Sequence, residues 1–121
     1  MVKSFLLVGL GGSIGSMLRY LIVTIWKTEN FPYNTLFINI VGSLFIGIVF
    51  ALSEKTDLIS DNIKLFLATG ICGGFTTFST FSAENFQLLK SGEYITAAGY
   101  IFASVSLCIV ATFISFKIIN N

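Results

Sequence analysis

The sequence contains no histidine and only one proline, one tryptophan and one arginine. Without histidine it lacks the commonest proton shuttle near neutral pH and the commonest nitrogen ligand for metals. Charge is also scarce: seven basic and six acidic residues make up 11% of 121 residues, against roughly 25% in a soluble domain. Net charge is +1 with no basic cluster, which argues against nucleic acid as a partner. The two cysteines, Cys72 and Cys108, each lie inside an apolar run with no Cys-x-x-Cys spacing. They read as small buried hydrophobes rather than a disulfide or metal framework.

What is abundant is apolar. Hydrophobic residues make up 55% of the chain, mean hydropathy is +0.88, and there are 13 phenylalanines. A membrane-spanning helix needs about 20 mostly apolar residues, and four runs qualify: residues 4–26, 32–52, 63–89 and 94–116. Short connections between them hold most of the charges. The sequence therefore predicts an all-α membrane protein, a single four-helix transmembrane domain over residues 1–121. Pro32 suits a helix start, where its missing N–H costs little. Lys3 followed by Phe5-Leu6-Leu7-Val8 has the form of a signal peptide. The run continues to Trp26, carries Arg19 and lacks an Ala-x-Ala site, so a retained first helix is expected.

Four spans put both termini on one side, together with Lys3, Lys55, Lys64 and Lys117; Lys27 and Lys90 lie on the other. Lysine bias sets orientation, and here it is slight. Two arrangements follow. Either the chain inserts both ways up, giving an antiparallel, dual-topology homodimer, or it inserts one way with the four-lysine side in the cytoplasm. Four helices of this length enclose little space, so oligomerisation is expected, with function at or near the subunit interface.

The third run departs from a plain helix. Gly70-Ile-Cys-Gly-Gly-Phe-Thr-Thr-Phe-Ser-Thr-Phe-Ser82 has three glycines in five residues, then hydroxyls alternating with phenylalanines. Glycine is a poor helix former, and Ser and Thr compete for backbone hydrogen bonds. Irregular backbone at membrane depth survives only where it is buried in protein or lines a wet cavity. The stretch predicts a broken third helix, and broken helices mark ion or substrate sites.

The other runs carry polar groups at helical spacing. Gly11 and Gly15 form a GxxxG pair, and Gly12 and Ser16 a second small pair, suited to close helix approach. A dinucleotide loop is rejected, because the glycine spacing is wrong and the flanks are apolar all round. Arg19 either snorkels to the interface or stands as a fixed positive charge in a vestibule that concentrates anions. Thr35, Asn39 and Ser43 share one face; Asn39 is interhelical glue or a donor to a passing anion. Glu84 is the only acid within a run. It is a proton-coupling site, a protonated acid or an acceptor for neighbouring hydroxyls. Tyr100, Ser104, Cys108 and Thr112 repeat every fourth residue, and favour a lined path over backbone-bonded hydroxyls.

These groups are rich in donors and poor in carboxylates, which suits an anion. A small, tightly hydrated anion enters only if donors replace its water. Phe78 and Phe81 share a face, and an aromatic ring has a positive edge. Carbonyls freed near Gly73 to Thr76 could cage a structural monovalent cation if two copies meet there.

Here the residues resemble a known family, the Fluc (CrcB) fluoride channels. Gly11-Gly-Ser-Ile-Gly15 with Arg19-Tyr20 is similar to its GGxxGxxxRY pattern. Thr35-Leu-Phe-Ile-Asn-Ile-Val-Gly-Ser43 resembles TLxxNxxGS, and Gly70 with Gly73 to Phe81 resembles GxxGGxTTFSTF. The resemblance implies a passive fluoride channel in the cell membrane, built as a dual-topology antiparallel homodimer with two pores. It implies that Asn39, Phe78 and Phe81 line the pore, with Tyr100 and Ser104 from the fourth helix. Thr80 and Glu84 would belong to a polar track beyond the phenylalanines, and Arg19 to the vestibule. Backbone carbonyls of Gly73 and Thr76 from both subunits would hold a structural sodium ion. Phe75 stands where leucine is common, and Cys108 where a hydroxyl might be expected. Two other classes compete. A proton-coupled four-helix multidrug exporter would use Glu84, although that class wants its carboxylate in the first helix. A non-transporting assembly subunit would need no aligned polar stripes.

Overall fold

The computed structural model describes residues 1–121 and is entirely helical. Helix α1 spans Val2–Ile25 and α2 spans Tyr33–Lys55. The third span is composite. It comprises α3 (Asp61–Lys64), a π-helical segment (Leu65–Cys72), α4 (Gly73–Phe75) and, after an interruption, α5 (Phe78–Lys90). Helix α6 spans Tyr94–Asn120. Four helical stretches are long and apolar enough to cross a membrane. Several run beyond the apolar stretches, as at Ser53-Glu54-Lys55, where the helix extends into polar sequence. Pro32 precedes the first residue of α2, and its carbonyl accepts from the Leu36 N–H at 3.1 Å.

Helix α2 is the most buried element and packs along α6, while α1 packs mainly on the first half of the third span. The only buried residues of α1 are Gly11 and Gly15. A Cβ on Gly11 would stand 2.6 Å from the Phe66 carbonyl oxygen and 2.8 Å from the Gly70 Cα. A Cβ on Gly15 would run into the Ile71 carbonyl, and one on Gly74 into the Gly12 backbone. The GxxxG of α1 thus meets a second one, Gly70-x-x-x-Gly74, backbone to backbone. This is the packing role expected for the first pair.

The interruption falls later than the glycines. Gly70, Gly73 and Gly74 all remain helical, and the backbone becomes extended at Thr76 (φ −79°, ψ 158°) and Thr77 (φ −149°, ψ 122°). The glycines give close approach, and the paired threonines give the break. The Thr77 hydroxyl accepts from the Thr80 N–H at 3.1 Å and so caps the N-terminus of α5.

Only 19 of 121 residues are buried, and large apolar side chains such as Phe5, Leu10, Phe102 and Phe113 face outward. This is a surface made for lipid, not water. The one buried hydrophobic cluster joins Phe81 and Leu88 of α5 to Ala97 and Tyr100 of α6. Gly92, at φ +80°, makes the tight reversal between those two helices. At the other end of the bundle, the Lys55 ammonium donates to the Ile119 carbonyl at 2.9 Å, fixing the end of α2 against that of α6.

Candidate functional site

The interruption leaves the Thr77 peptide without a helical partner, and the α2 face supplies one. The Thr77 N–H donates to Asn39 Oδ1 at 2.9 Å, and Asn39 Nδ2 donates to the Thr77 carbonyl at 3.2 Å. One carboxamide thus pairs with both groups of the broken turn, as a neighbouring strand would. Of the two roles open to Asn39, the structure shows the interhelical one directly.

Beside this joint lies an open cavity of about 350 Å³. Asn39, Thr77, Phe78, Phe81 and Ser104 line it, with Thr76, Ser43, Cys72 and Cys108 around them. The phenylalanine rings are 5.5 Å apart with planes tilted by 50°. They differ in support. Phe81 is buried and meets Tyr100 edge-on at 4.9 Å, whereas Phe78 is 77% exposed. The Ser104 hydroxyl is buried and has no hydrogen-bond partner. No charged side chain lines the cavity.

Tyr100 and Glu84 lie beside the cavity rather than on its wall. Tyr100 is fully buried, and its hydroxyl donates to Glu84 Oε1 at 2.7 Å. The Thr35 hydroxyl donates to Glu84 Oε2 at 2.8 Å. Both carboxylate oxygens are therefore engaged by hydroxyl donors, the third of the roles open to Glu84. Thr80 and Glu84 line a separate cavity of about 360 Å³ with Ser79, Ala83, Phe86 and Gln87. Of the stripe on α6, Ser104 and Cys108 face the first cavity. The Thr112 hydroxyl instead donates to the Ser43 carbonyl at 2.9 Å.

Arg19 is half-buried against the third span. Its Nε–H donates to the Gly74 carbonyl at 3.2 Å, and the Ser16 hydroxyl approaches the same oxygen at 3.5 Å. The guanidinium thus sits at the C-terminal turn of the first half-span, where helix carbonyls carry partial negative charge. Gly73 and Thr76 flank that turn, and Gly73 is exposed, with nothing closer than 3.8 Å to an added Cβ.

Sequence reasoning missed two features. Asn34 holds the first connection, donating to the Trp26 carbonyl at 3.0 Å and accepting from the Thr28 hydroxyl at 3.3 Å. Thr77 is the hub of the break, and its signal was available: a threonine three residues ahead of Thr80 at a helix start is a capping pattern.

Over 107 residues the chain is 50% identical to a protein of Leptospira interrogans named fluoride-specific ion channel FluC, covering 85% of this chain and 84% of that one. Proteins of the same name from Phocaeicola vulgatus and Azobacteroides pseudotrichonymphae are 49% and 45% identical. They match over 90% and 87% of this chain and 92% and 86% of their own. Residues 6–116 match the model of a family described as CrcB-like protein, Camphor Resistance (CrcB). With the match running through all four spans, this multi-pass membrane protein belongs to the CrcB-like family.

Proposed function

We propose that the chain is a passive, fluoride-selective anion channel that releases fluoride from the cytoplasm. The observation that carries this reading is the uncharged cavity at the interrupted third span, where an amide, hydroxyls and two phenyl rings converge. Those are the groups that replace water around a small anion without trapping it by full charge. Relatives at 43–50% identity bear the name of that activity.

The roles follow from the contacts. Asn39 uses one amide hydrogen on Thr77, which leaves its second to donate into the cavity. Phe78 and Phe81 offer ring edges, and Ser104 an uncommitted hydroxyl. Thr80, Glu84 and Tyr100 form a polar track alongside, in which both Glu84 oxygens are taken up by hydroxyl donors. Arg19 adds positive potential behind the break, toward the vestibule. Function as an antiparallel, dual-topology homodimer would close the cavity's open side. The turn at the exposed Gly73 and half-buried Thr76 offers backbone oxygens, a hard donor set that fits a sodium ion between two copies. Bound there, such an ion would supply fixed positive charge between the two pathways.

A passive route is enough. Fluoride is the base of a weak acid whose neutral form enters from acidic surroundings and ionises inside. An inside-negative potential then drives the anion out with about 2.3 kcal/mol per 100 mV. The exporter reading needs a carboxylate free to exchange protons and substrate, and the engaged oxygens of Glu84 disfavour it.

The test is fluoride release from sealed proteoliposomes, followed with a fluoride electrode. Efflux that stalls on its own voltage and resumes with a potassium ionophore supports the channel. Release that requires a proton gradient, or no release, overturns it.

A further inference from the structure

The third span lines three cavities in chain order. Thr76, Thr77, Phe78 and Phe81 wall the uncharged cavity at the interruption, and Ser79, Thr80, Glu84 and Gln87 wall the one beyond it. Ahead of the interruption, Asp61, Lys64 and Thr69 line a third cavity of about 450 Å³, together with Ile46 and Phe50 of α2. Ile46 belongs to the walls of both this cavity and the uncharged one, so the two adjoin along the groove between α2 and the third span. The two charges of the third cavity stand differently. Asp61 opens the span and is exposed, whereas Lys64 is half-buried one turn further in. The Lys64 ammonium lies over the Phe50 ring, 5.0 Å from its centroid, which holds the charge at the wall. Exposed charges are screened over about 10 Å at 0.1 M salt, and partly buried ones less. Lys64 therefore sets the field in the cavity more than Asp61 does. Of the three cavities, only this one has a cationic side chain in its lining.

We propose that this cavity is a mouth of the anion route, and that Lys64 sets how fast fluoride enters it, opposed by Asp61. The proposal rests on the channel reading and adds to it an entrance and the charge that controls it. A pocket with low-dielectric walls and one dominant charge raises the local concentration of the opposite ion. Lys64 draws in the anion while its water shell is intact. The exposed Thr69, further along the same wall, offers a hydroxyl on the way to Ile46 and the groups around Asn39. A single ammonium seated on a ring attracts an anion without enclosing it, which suits an entrance better than a binding site. Because Lys64 acts before the ion sheds water, it changes how often an anion arrives and not which anion passes.

The experiment is efflux of dilute fluoride from proteoliposomes holding the full-length protein, with a potassium ionophore present so that voltage does not limit the rate. Rates are compared at low and high concentrations of a salt with an impermeant anion. Lys64→Gln should slow efflux several-fold at low salt, and the deficit should close at about 1 M salt, where the Debye length is about 3 Å. Lys64→Arg should restore the rate, because it keeps the charge. Asp61→Asn should speed efflux at low salt. Opposite signs for two residues on one turn separate a field from damage to the fold, which would slow both. Chloride should stay excluded by every variant. Native rates in Lys64→Gln, a deficit that salt does not relieve, slowing by Asp61→Asn, or entry of chloride would each overturn the mouth while leaving the channel reading in place. A native chain that passes no fluoride would overturn the channel reading itself, and the mouth with it.

Discussion

The two halves of the third span pack by different chemistry. Residues 61–75 meet α1 through glycines, backbone against backbone, with Gly11 on Gly70 and Gly12 on Gly74. Residues 78–90 meet α6 and α2 through side chains: Phe81 on Tyr100, and Glu84 between Thr35 and Tyr100. One half is held by shape and the other by aromatic and polar groups. The extended pair Thr76–Thr77 is the joint between them, and α2 reaches it through Asn39. The comparison teaches that the glycines and the break do separate jobs, although they are adjacent in sequence.

The sharpest way to break the comparison is on the glycine side. Gly15→Leu would drive a side chain into the Ile71 carbonyl and Phe75 N–H, both backbone atoms that cannot step aside. Overpacking of this kind costs about 3 kcal/mol, which should lower the melting temperature sharply and broaden the size-exclusion profile in detergent. A monodisperse Gly15→Leu protein with a native melting temperature would show that the first half is not held by shape.

Asn39→Ala tests the joint. It leaves both the N–H and the carbonyl of Thr77 unpaired at membrane depth, a loss of about 2 kcal/mol, and it removes a cavity donor. Melting temperature and fluoride efflux should both fall. Asn39→Asp keeps the acceptor for the Thr77 N–H but loses the donor, so it should recover stability more than efflux. Equal recovery of both would confine Asn39 to packing.

On the side-chain half, Phe81→Ile and Phe78→Ile should both cut efflux while dimers, if formed, persist. Their stability effects should diverge. Phe81 loses an edge contact with Tyr100 worth about 1 kcal/mol, whereas the exposed Phe78 ring should barely alter the melting temperature. Unchanged efflux in both variants would remove the ring-edge argument.

The smallest effect within one chain belongs to Gly73→Ala. Its new methyl meets nothing nearer than the Ala68 carbonyl, 3.8 Å away. The melting temperature of the isolated subunit should not move, so any loss of assembly or efflux would come from a second copy against that turn. An unaffected oligomer with unaffected efflux would count against a shared site at Gly73.

Much of this architecture was readable without coordinates because membranes impose strong, local demands. Four apolar runs, sparse charge and hydroxyls at fourfold spacing are properties of short windows, and the bilayer leaves helices as their only solution. The Gly11–Gly15 pair was readable as packing for the same reason. Its partner was not, because Gly70 and Gly74 looked like helix breakers beside a predicted break. The π-helical turns at Leu65–Cys72 also left no trace in residue type. For Arg19, composition offered a snorkelling end or a vestibule charge, and the observed Gly74 carbonyl lay fifty-five positions away in the chain.

From residue order alone came the solvent, the number of crossings, the interruption in the third of them and the uncharged, donor-rich character of its surroundings. Each of these follows from what one stretch of chain must do in hydrocarbon. Only the folded arrangement decided that Thr77 and not a glycine turns the chain, that Asn39 completes the turn, and that Glu84 is already occupied by two hydroxyls. Those are questions of which distant group satisfies a freed donor or acceptor, and pairing across helices is settled by three-dimensional proximity, which no local pattern encodes.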